Sequence, residues 1–446
     1  MTRNNWLALT LALGLAVAAR AQAPVLLSGP MAGVSSDSSV SIWLMTHQPG
    51  PLRLEYWPVP RPGERRVFSG AAEGEAPVMQ AQLGGLRPDT RYAYRVLAAD
   101  GRALSEVRFF RTQARQPRAR DFSVLAGSCS YFNSPGEQQR GTGYGSDYEI
   151  FAAMAAQNPE LTLWLGDHIY YSRRDLEEGT AQRMEQRWRL GRSFPQLQRL
   201  LGVGQHAAIW DAHDYGPNNS DKSFAHKATS LALFQRYWAN ASHGLPNAPG
   251  VFSRMRVADV DFFLLDDRWY RDADAAPAAP DKTMFGALQL AWLRHELKHS
   301  TAPFKVIAAG SRMLARRHTE LRADNEGWHN FPEEREDFIA WLTRERIDGV
   351  LFLSGDIHYA HAVEWGREGS YPLLDLTCSA LTSGVNRYPN AAGKLPGSVV
   401  AEHNFCSLEF SGPEGERVLR MSIRGVDGQV RWEKRLSAQA LTHGDR

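Results

Sequence analysis

The sequence predicts a small antiparallel β-sandwich followed by a larger α/β layered domain. Three features of the chain say so. Residues 24 to about 112 are short apolar or alternating stretches broken by turn residues. From Asp121 onward, short apolar stretches alternate with amphipathic ones, the pattern of an α/β layered fold. Between the two, RTQARQPRAR (Arg111 to Arg120) is polar, basic and proline-containing, as interdomain linkers are. The expected units are therefore 24–112, a linker at 113–120, and a second domain at 121–440. Of the 446 residues, 43% are hydrophobic, 22% charged and 10% aromatic. That composition is globular, and the length is ample for a large core.

Ahead of both units, residues 1–23 read as a secretory leader. MTRNN is a short segment with one arginine, WLALTLALGLAVAA is an apolar run, and Ala21-Gln22-Ala23 matches a small-residue cleavage site. The run is shorter than the roughly 20 apolar residues a membrane span needs, and no other stretch reads as transmembrane. The absence of a twin arginine favours the general secretion route. The expected location is periplasmic or extracellular. Removing residues 1–23 takes Arg3 and Arg20 away, so Lys+Arg falls from 51 to 49 and equals Asp+Glu at 49. A formally neutral chain argues against an electrostatic nucleic-acid or membrane binder.

In the first unit, SVSIWLMT, LRLEYWPV, VMQAQLGGL and YAYRVLA are the expected strands, separated by QPGP, RPGERR and AADGR. The segment Leu86-Arg-Pro-Asp-Thr-Arg-Tyr-Ala-Tyr-Arg-Val96 resembles the tyrosine corner of fibronectin type III-like domains. There the Tyr92 hydroxyl would bond backbone upstream. In the second unit the expected strands and helices run FSVLAGSC, YEIFAAMAAQ, LTLWLGD, HAAIWD, FAHKATSLALFQRYW, VDFFLLDDR, ALQLAWLRHEL, FKVIAAGS, EREDFIAWLTRER, GVLFLSGD and PLLDLTCS.

The strands end in polar residues. One ends Gly127-Ser128-Cys129, another Gly166-Asp167-His168-Ile169-Tyr170-Tyr171. A third runs Asp211-Ala212-His213-Asp214 to Asn218-Asn219, and a late one ends Gly355-Asp356-Ile357-His358. In open α/β sheets ligands bind beyond the carboxyl ends of strands. Four such ends meeting would gather Asp, Cys, Tyr, Asn and His, which are metal ligands. A glycine before Asp167 lets the backbone turn sharply toward such a site. Of the three cysteines, Cys378 and Cys406 either pair or remain two buried thiols.

The order Cys, Gly-Asp-x-x-Tyr, Asp-x-His-Asp, Gly-Asp-x-His, with LLDDRWYR and FGALQLAWL between, resembles the alkaline phosphatase D (PhoD-like) family of the metallophosphoesterase superfamily. The resemblance covers most of the chain after the leader. It implies a four-layer metallophosphoesterase-type β-sandwich flanked by helices, preceded by the fibronectin type III-like domain. It implies that Asp167 bridges two metals and that Cys129 and Tyr170 hold iron (Fe3+), which would keep Cys129 unpaired. Asp211 and Asn218 or Asn219 would serve a second metal, calcium (Ca2+) in family members, other divalent ions being possible. Asp356 and His358 match the final motif. Family members often carry a second acidic residue where this chain has Ala212, so duty there falls to Asp211 or Asp214.

The implied reaction is hydrolysis of small phosphate monoesters or diesters. Two metals roughly 3.5–4 Å apart would clamp the ester, and one would lower the pKa of water from about 16 to about 7. Iron(III) is the stronger Lewis acid, so the nucleophile is expected at the Cys129/Tyr170 metal. His213 or His358 would protonate the leaving alcohol. Arg268 would bind a phosphate oxygen, or else form a salt bridge with Asp266 or Asp267. The rival readings are a phosphodiesterase or phospholipase-type enzyme on the same site and, more remotely, a secreted binding protein. A serine hydrolase lacks a G-x-S-x-G elbow. The active form is expected to be a monomer.

Overall fold

The computed structural model describes residues 24–133, 148–178, 181–314, 326–387 and 393–444. The expected leader, 1–23, lies outside them. Three sheets organise the described residues. The largest has nine strands in the spatial order Val430–Ser437, Val418–Gly425, Asn404–Ser411, Phe122–Gly127, Leu161–Leu165, Gln205–Ile209, Leu26–Gly33, Val40–Thr46 and Val78–Leu83. The second runs Ser253–Val257, Val260–Leu264, Lys305–Ala308, Val350–Ser354, Leu373–Thr377 and His361–Trp365. The third, of four strands, runs Arg66–Ala72, Gly50–Pro58, Arg91–Ala98 and Arg108–Arg111.

The central strands are short and buried on both faces. LTLWL, QHAAI, VDFFL and VLFLS have every residue buried, as strands covered on both sides require. The nine- and six-stranded sheets share one core, which holds Leu125, Leu163 and Ile209 from the first and Phe262, Ile307 and Phe352 from the second. Helices Glu149–Ala156, Lys227–Tyr237, Ala287–His299 and Pro332–Arg344 fall where the sequence predicts helices. They complete a sandwich of two sheets flanked by helices.

The chain before residue 112 does not stand wholly apart. Leu26–Gly33 pairs in parallel with Gln205–Ile209, at Ala32↔Gln205 and Gly33↔His206. The large sheet therefore runs across the expected domain boundary. Alternation along Val40–Thr46 explains how one strand serves both sides. Val40, Ile42 and Leu44 belong to a small core with Leu54, Tyr94 and Phe110, whereas Trp43 and Met45 belong to the main core. Tyr92 is buried, and its hydroxyl accepts a hydrogen bond from the Arg87 backbone N–H at 2.8 Å, the corner expected.

Leu26–Gly33 was not predicted as a strand because Gly29 and Pro30 interrupt its pattern. Val418–Gly425 and Val430–Ser437 were also missed: the first alternates, with Leu419, Met421 and Ile423 buried, whereas the second is a charged edge strand with no buried residue to mark it.

Candidate active site

The strands Phe122–Gly127, Leu161–Leu165 and Gln205–Ile209 are mutually parallel. So are Val260–Leu264, Lys305–Ala308, Val350–Ser354 and Leu373–Thr377 in the other sheet. Their carboxyl ends deliver Cys129, Asp167, Asp211, Asp267 with Arg268, Ser311, Asp356 and Ser379 to one region. The backbone there is unusual: Cys129, Asp167, Asp356 and His358 all have left-handed φ, at 60°, 54°, 79° and 62°. Non-glycine residues are held so only where their surroundings over-determine them.

Two glycines make the close approach possible. Gly166 has φ 92°, and a Cβ there would lie 2.5 Å from the Asp211 Cβ. A Cβ on Gly355 would lie 2.6 Å from the Ser128 hydroxyl.

Asp167 is the hub. Its Oδ2 is 3.6 Å from the Cys129 thiol and 3.5 Å from the Tyr170 hydroxyl, and its Oδ1 accepts the His213 backbone N–H at 2.9 Å. The His213 ring lies against Tyr170, centroids 4.2 Å apart. Asp214 clamps two strand ends together by accepting the backbone N–H groups of His168, Ile169 and Asp211 at 2.7, 3.2 and 3.2 Å. Cys129 is buried and free, while Cys378 and Cys406 form a disulfide. Asn218 and Asn219 are exposed on the loop after the short helix Ala212–Tyr215, and no hydrogen bond among the described residues ties them to this cluster.

Arg268 is fully buried and takes the second of its two expected roles, a salt bridge, with Asp211 and Glu326 as its shorter-range partners. Its Nε and Nη2 donate to Asp211 Oδ1, its Nη1 to Glu326 and the Ser220 carbonyl, and its Nη2 also to the Ser311 hydroxyl. These contacts use all five guanidinium N–H groups, so none is left for a phosphate oxygen. Of the two expected partners, Asp267 forms a longer ion pair with Arg268 at 3.8 Å, whereas Asp266 is reached by Arg268 only through its backbone N–H.

The acidic groups burden one another. Burial first, and the charge of Asp167 second, hold the Cys129 thiol well above its ordinary range. Burial, Cys129 and Asp167 do the same to Tyr170. Burial pushes Asp211 up despite Arg268, helped by Asp267, Asp167 and Asp356, and burial with Glu326 pushes Asp356 up. Asp211 Oδ2 and Asp267 Oδ1 are buried with no hydrogen-bond partner among the described residues.

No three His, Cys, Asp or Glu side chains among the described residues close a metal site by themselves. The donor chemistry nevertheless fits a cation. Carboxylates, a thiol and a phenol crowd together, and each raises its neighbours' affinity for positive charge.

Residues that sequence reasoning missed are Ser379 and Ser383, whose hydroxyls reach Cys129 and His358, and Glu326. A signal for the serines was present: CSALTS follows the apolar LLDLT as the other polar ends follow their strands. A cleft of about 600 Å3, lined by Arg108, Arg120, Glu160 and Gly204 among others, lies at the opposite, amino ends of the strands and holds none of these groups.

A model of the PhoD-like phosphatase family matches residues 124–410. Alkaline phosphatase D of Bacillus subtilis (strain 168) is 26% identical over 329 residues, covering 64% of this chain; the match spans 54% of that protein's length. A solved structure of PhoD superposes with a TM-score of 0.74 at 18% identity, over 92% of this chain and 90% of that one. Purple acid phosphatase PPD1 from yellow lupin seeds superposes with a TM-score of 0.64 at 12% identity, over 93% and 74%. At such identities the two structures attest the fold.

Proposed function

We propose that this chain, which belongs to the PhoD-like phosphatase family, is an exported, metal-dependent hydrolase of small phosphate monoesters, diesters or both. The observation that carries the reading is the convergence of Cys129, Tyr170 and the His213 backbone N–H on Asp167, with the carbonyl of the backbone-strained Asp356 3.3 Å from the Cys129 sulfur.

Cys129, Asp167 and Tyr170 would hold one ion, with iron(III) suiting the thiolate and phenolate. Asp167, Asp356, His358 and Asp211, with Asn218 or Asn219, would serve a second, calcium or another divalent ion. Such ions, when bound, polarise a phosphoryl oxygen and activate water.

The chain's own residues divide the remaining work. The ring of His358 is tied to Ser383. The His213 ring is half-buried and makes no hydrogen bond among the described residues, and its backbone is fixed by Asp167. His213 is therefore the group free to hand a proton to the leaving alcohol. Arg268 orients Asp211 through two hydrogen bonds to Oδ1, and its charge opposes, without cancelling, the upward push of burial on that carboxylate.

Hydrolysis of a chromogenic monoester and a chromogenic diester, from pH 5 to 10, with and without chelator, tests this. The expected result is chelator-sensitive turnover, abolished in Asp167→Ala and reduced about 100-fold or more in His213→Ala. Turnover indifferent to chelator and to Asp167→Ala overturns it. Relative rates on the two substrates decide between phosphatase and phosphodiesterase.

Export rests on the leader-like pattern of residues 1–23 and is supported by the Cys378–Cys406 disulfide, which suits an oxidising compartment. Mass spectrometry of protein recovered outside the cytoplasm should show a chain beginning at Pro24.

A further inference from the structure

A cysteine holds a metal as the thiolate, so the groups around the Cys129 sulfur must suit a negative charge. Most do not. The Asp356 carbonyl lies 3.3 Å from the sulfur and the Asp167 carboxylate 3.6 Å, and both offer lone pairs rather than hydrogens. The Ser128 hydroxyl, 3.4 Å away, is already committed. It donates to the Cys378 carbonyl at 3.0 Å and accepts the Asp356 backbone N–H at 3.3 Å.

Ser379 is different. Its side chain is fully buried, and its hydroxyl oxygen lies 3.1 Å from the Cys129 sulfur and 3.1 Å from the His358 backbone nitrogen. A backbone N–H can only donate, so the Ser379 oxygen accepts there. A serine hydroxyl has one proton to give. Among the described residues, the Cys129 sulfur is the acceptor that receives it.

The backbone that carries this hydroxyl is held on both sides. Cys378 N–H donates to the Ser354 carbonyl at 2.8 Å, and the Cys378 sulfur is bonded to Cys406. The Ala380 carbonyl accepts the Asn404 N–H at 3.0 Å, and Leu381 N–H donates to the Ser128 carbonyl at 2.8 Å. Ser354 comes from the six-stranded sheet, and Asn404 and Cys406 from the nine-stranded one. Both sheets therefore aim the Ser379 hydroxyl.

We propose that Ser379 is a positioning residue of the candidate metal centre. It donates its one hydroxyl hydrogen to the Cys129 thiolate and ties that sulfur to the left-handed backbone of His358, φ 62°. A hydrogen bond to the charged form favours that form, and outer partners of this kind orient metal-binding side chains. The proposal rests on the preceding reading for the roles of Cys129 and His358.

The test uses the full chain, disulfide intact, stripped with chelator and titrated with Co2+ alone. Co2+ held by a thiolate gives a sulfur-to-metal charge-transfer absorption in the near ultraviolet, which reports the sulfur itself. Ser379→Ala is expected to weaken Co2+ binding by about 10- to 100-fold. It should also move the band to longer wavelength, because a sulfur that has lost a hydrogen bond gives up its electron more easily. Ser379→Thr, which keeps the hydroxyl, should hold the band at its wild-type position. Wild-type Co2+ affinity in Ser379→Ala overturns the proposal. So does weakened binding with an unmoved band, because packing alone would then explain the loss. A Ser379→Thr band shifted as far as that of Ser379→Ala overturns it as well. Co2+ uptake by the wild type without any charge-transfer band removes Cys129 from the ligands and with it the proposal. Ester turnover is followed alongside. The expected Co2+ results with no ester hydrolysis by the wild type uphold the role of Ser379 and overturn the phosphoesterase reading. A wild type that takes up no Co2+ overturns both.

Discussion

At the scale of single residues, Arg268 shows how tertiary structure reassigns a role. Its neighbours in LLDDRWYR suggest a cation beside a strand end, open to a phosphate. The fold instead closes it between Asp211 and Glu326, with Ser311 and the Ser220 carbonyl absorbing its remaining donors. Removing one partner of a buried ion pair leaves the other charged and desolvated. Arg268→Met should therefore lower unfolding stability by about 3–5 kcal/mol in urea titrations. A phosphate-binding arginine would instead raise KM and leave stability intact. The residue types at the strand ends were legible in the sequence, and so were Cys129, Asp167 and Tyr170 as neighbours. The partners of Arg268 were not, because Glu326 lies 58 positions along the chain and reaches it only through folding.

At the scale of elements, the turn after Leu161–Leu165 joins local chemistry to packing. Gly166 is needed for two separate reasons, its positive φ and the 2.5 Å approach of Asp211. Gly166→Ala must move either Asp167 or Asp211. It should abolish hydrolysis while leaving far-UV circular dichroism close to wild type, with stability lowered by more than about 1 kcal/mol. Full activity in that variant would show that the close approach is dispensable. The glycine was readable as a turn device. Its contact with Asp211 was not, since register between parallel strands is not written in either strand alone.

At the scale of the molecule, shared sheet and shared core make residues 24–112 part of the whole. Trp43 donates its indole N–H to the Arg236 carbonyl, Gln205 donates to the Gly33 carbonyl, and the large sheet runs through both parts. Scanning calorimetry should give one cooperative transition, and a chain starting at residue 113 should aggregate because it bares the edge of Gln205–Ile209. Two well-separated transitions would mark independent domains.

Acid should weaken the molecule through His206. Burial, with the Arg192 charge second, holds its pKa down to about 3, and its Nδ1 accepts the Trp164 indole N–H, as only the neutral ring does. The unfolded chain takes up that proton near pH 6.5. Stability from the neutral ring is thus complete above pH 6.5 and is lost as pH falls toward 3, by up to about 1.4 kcal/mol per pH unit. The stability deficit of His206→Gln should be largest at pH 7 and shrink by pH 4, measured by urea midpoint. A deficit constant across that range would exclude the linkage.

The sequence by itself determined the alternation of strands and helices, the tyrosine corner, and the polar strand ends that bear Cys129, Asp167, Tyr170, His213, Asp356 and His358. Hydrophobic periodicity and turn chemistry act over a few residues and are therefore written locally. Tertiary structure decided that Cys378 pairs with Cys406, that Arg268 serves Asp211, that Ser379 and Ser383 back the candidate ligands, and that the first strand enters the large sheet. Each of these joins groups distant in sequence, and only the burial of a common core brings such groups within hydrogen-bonding distance.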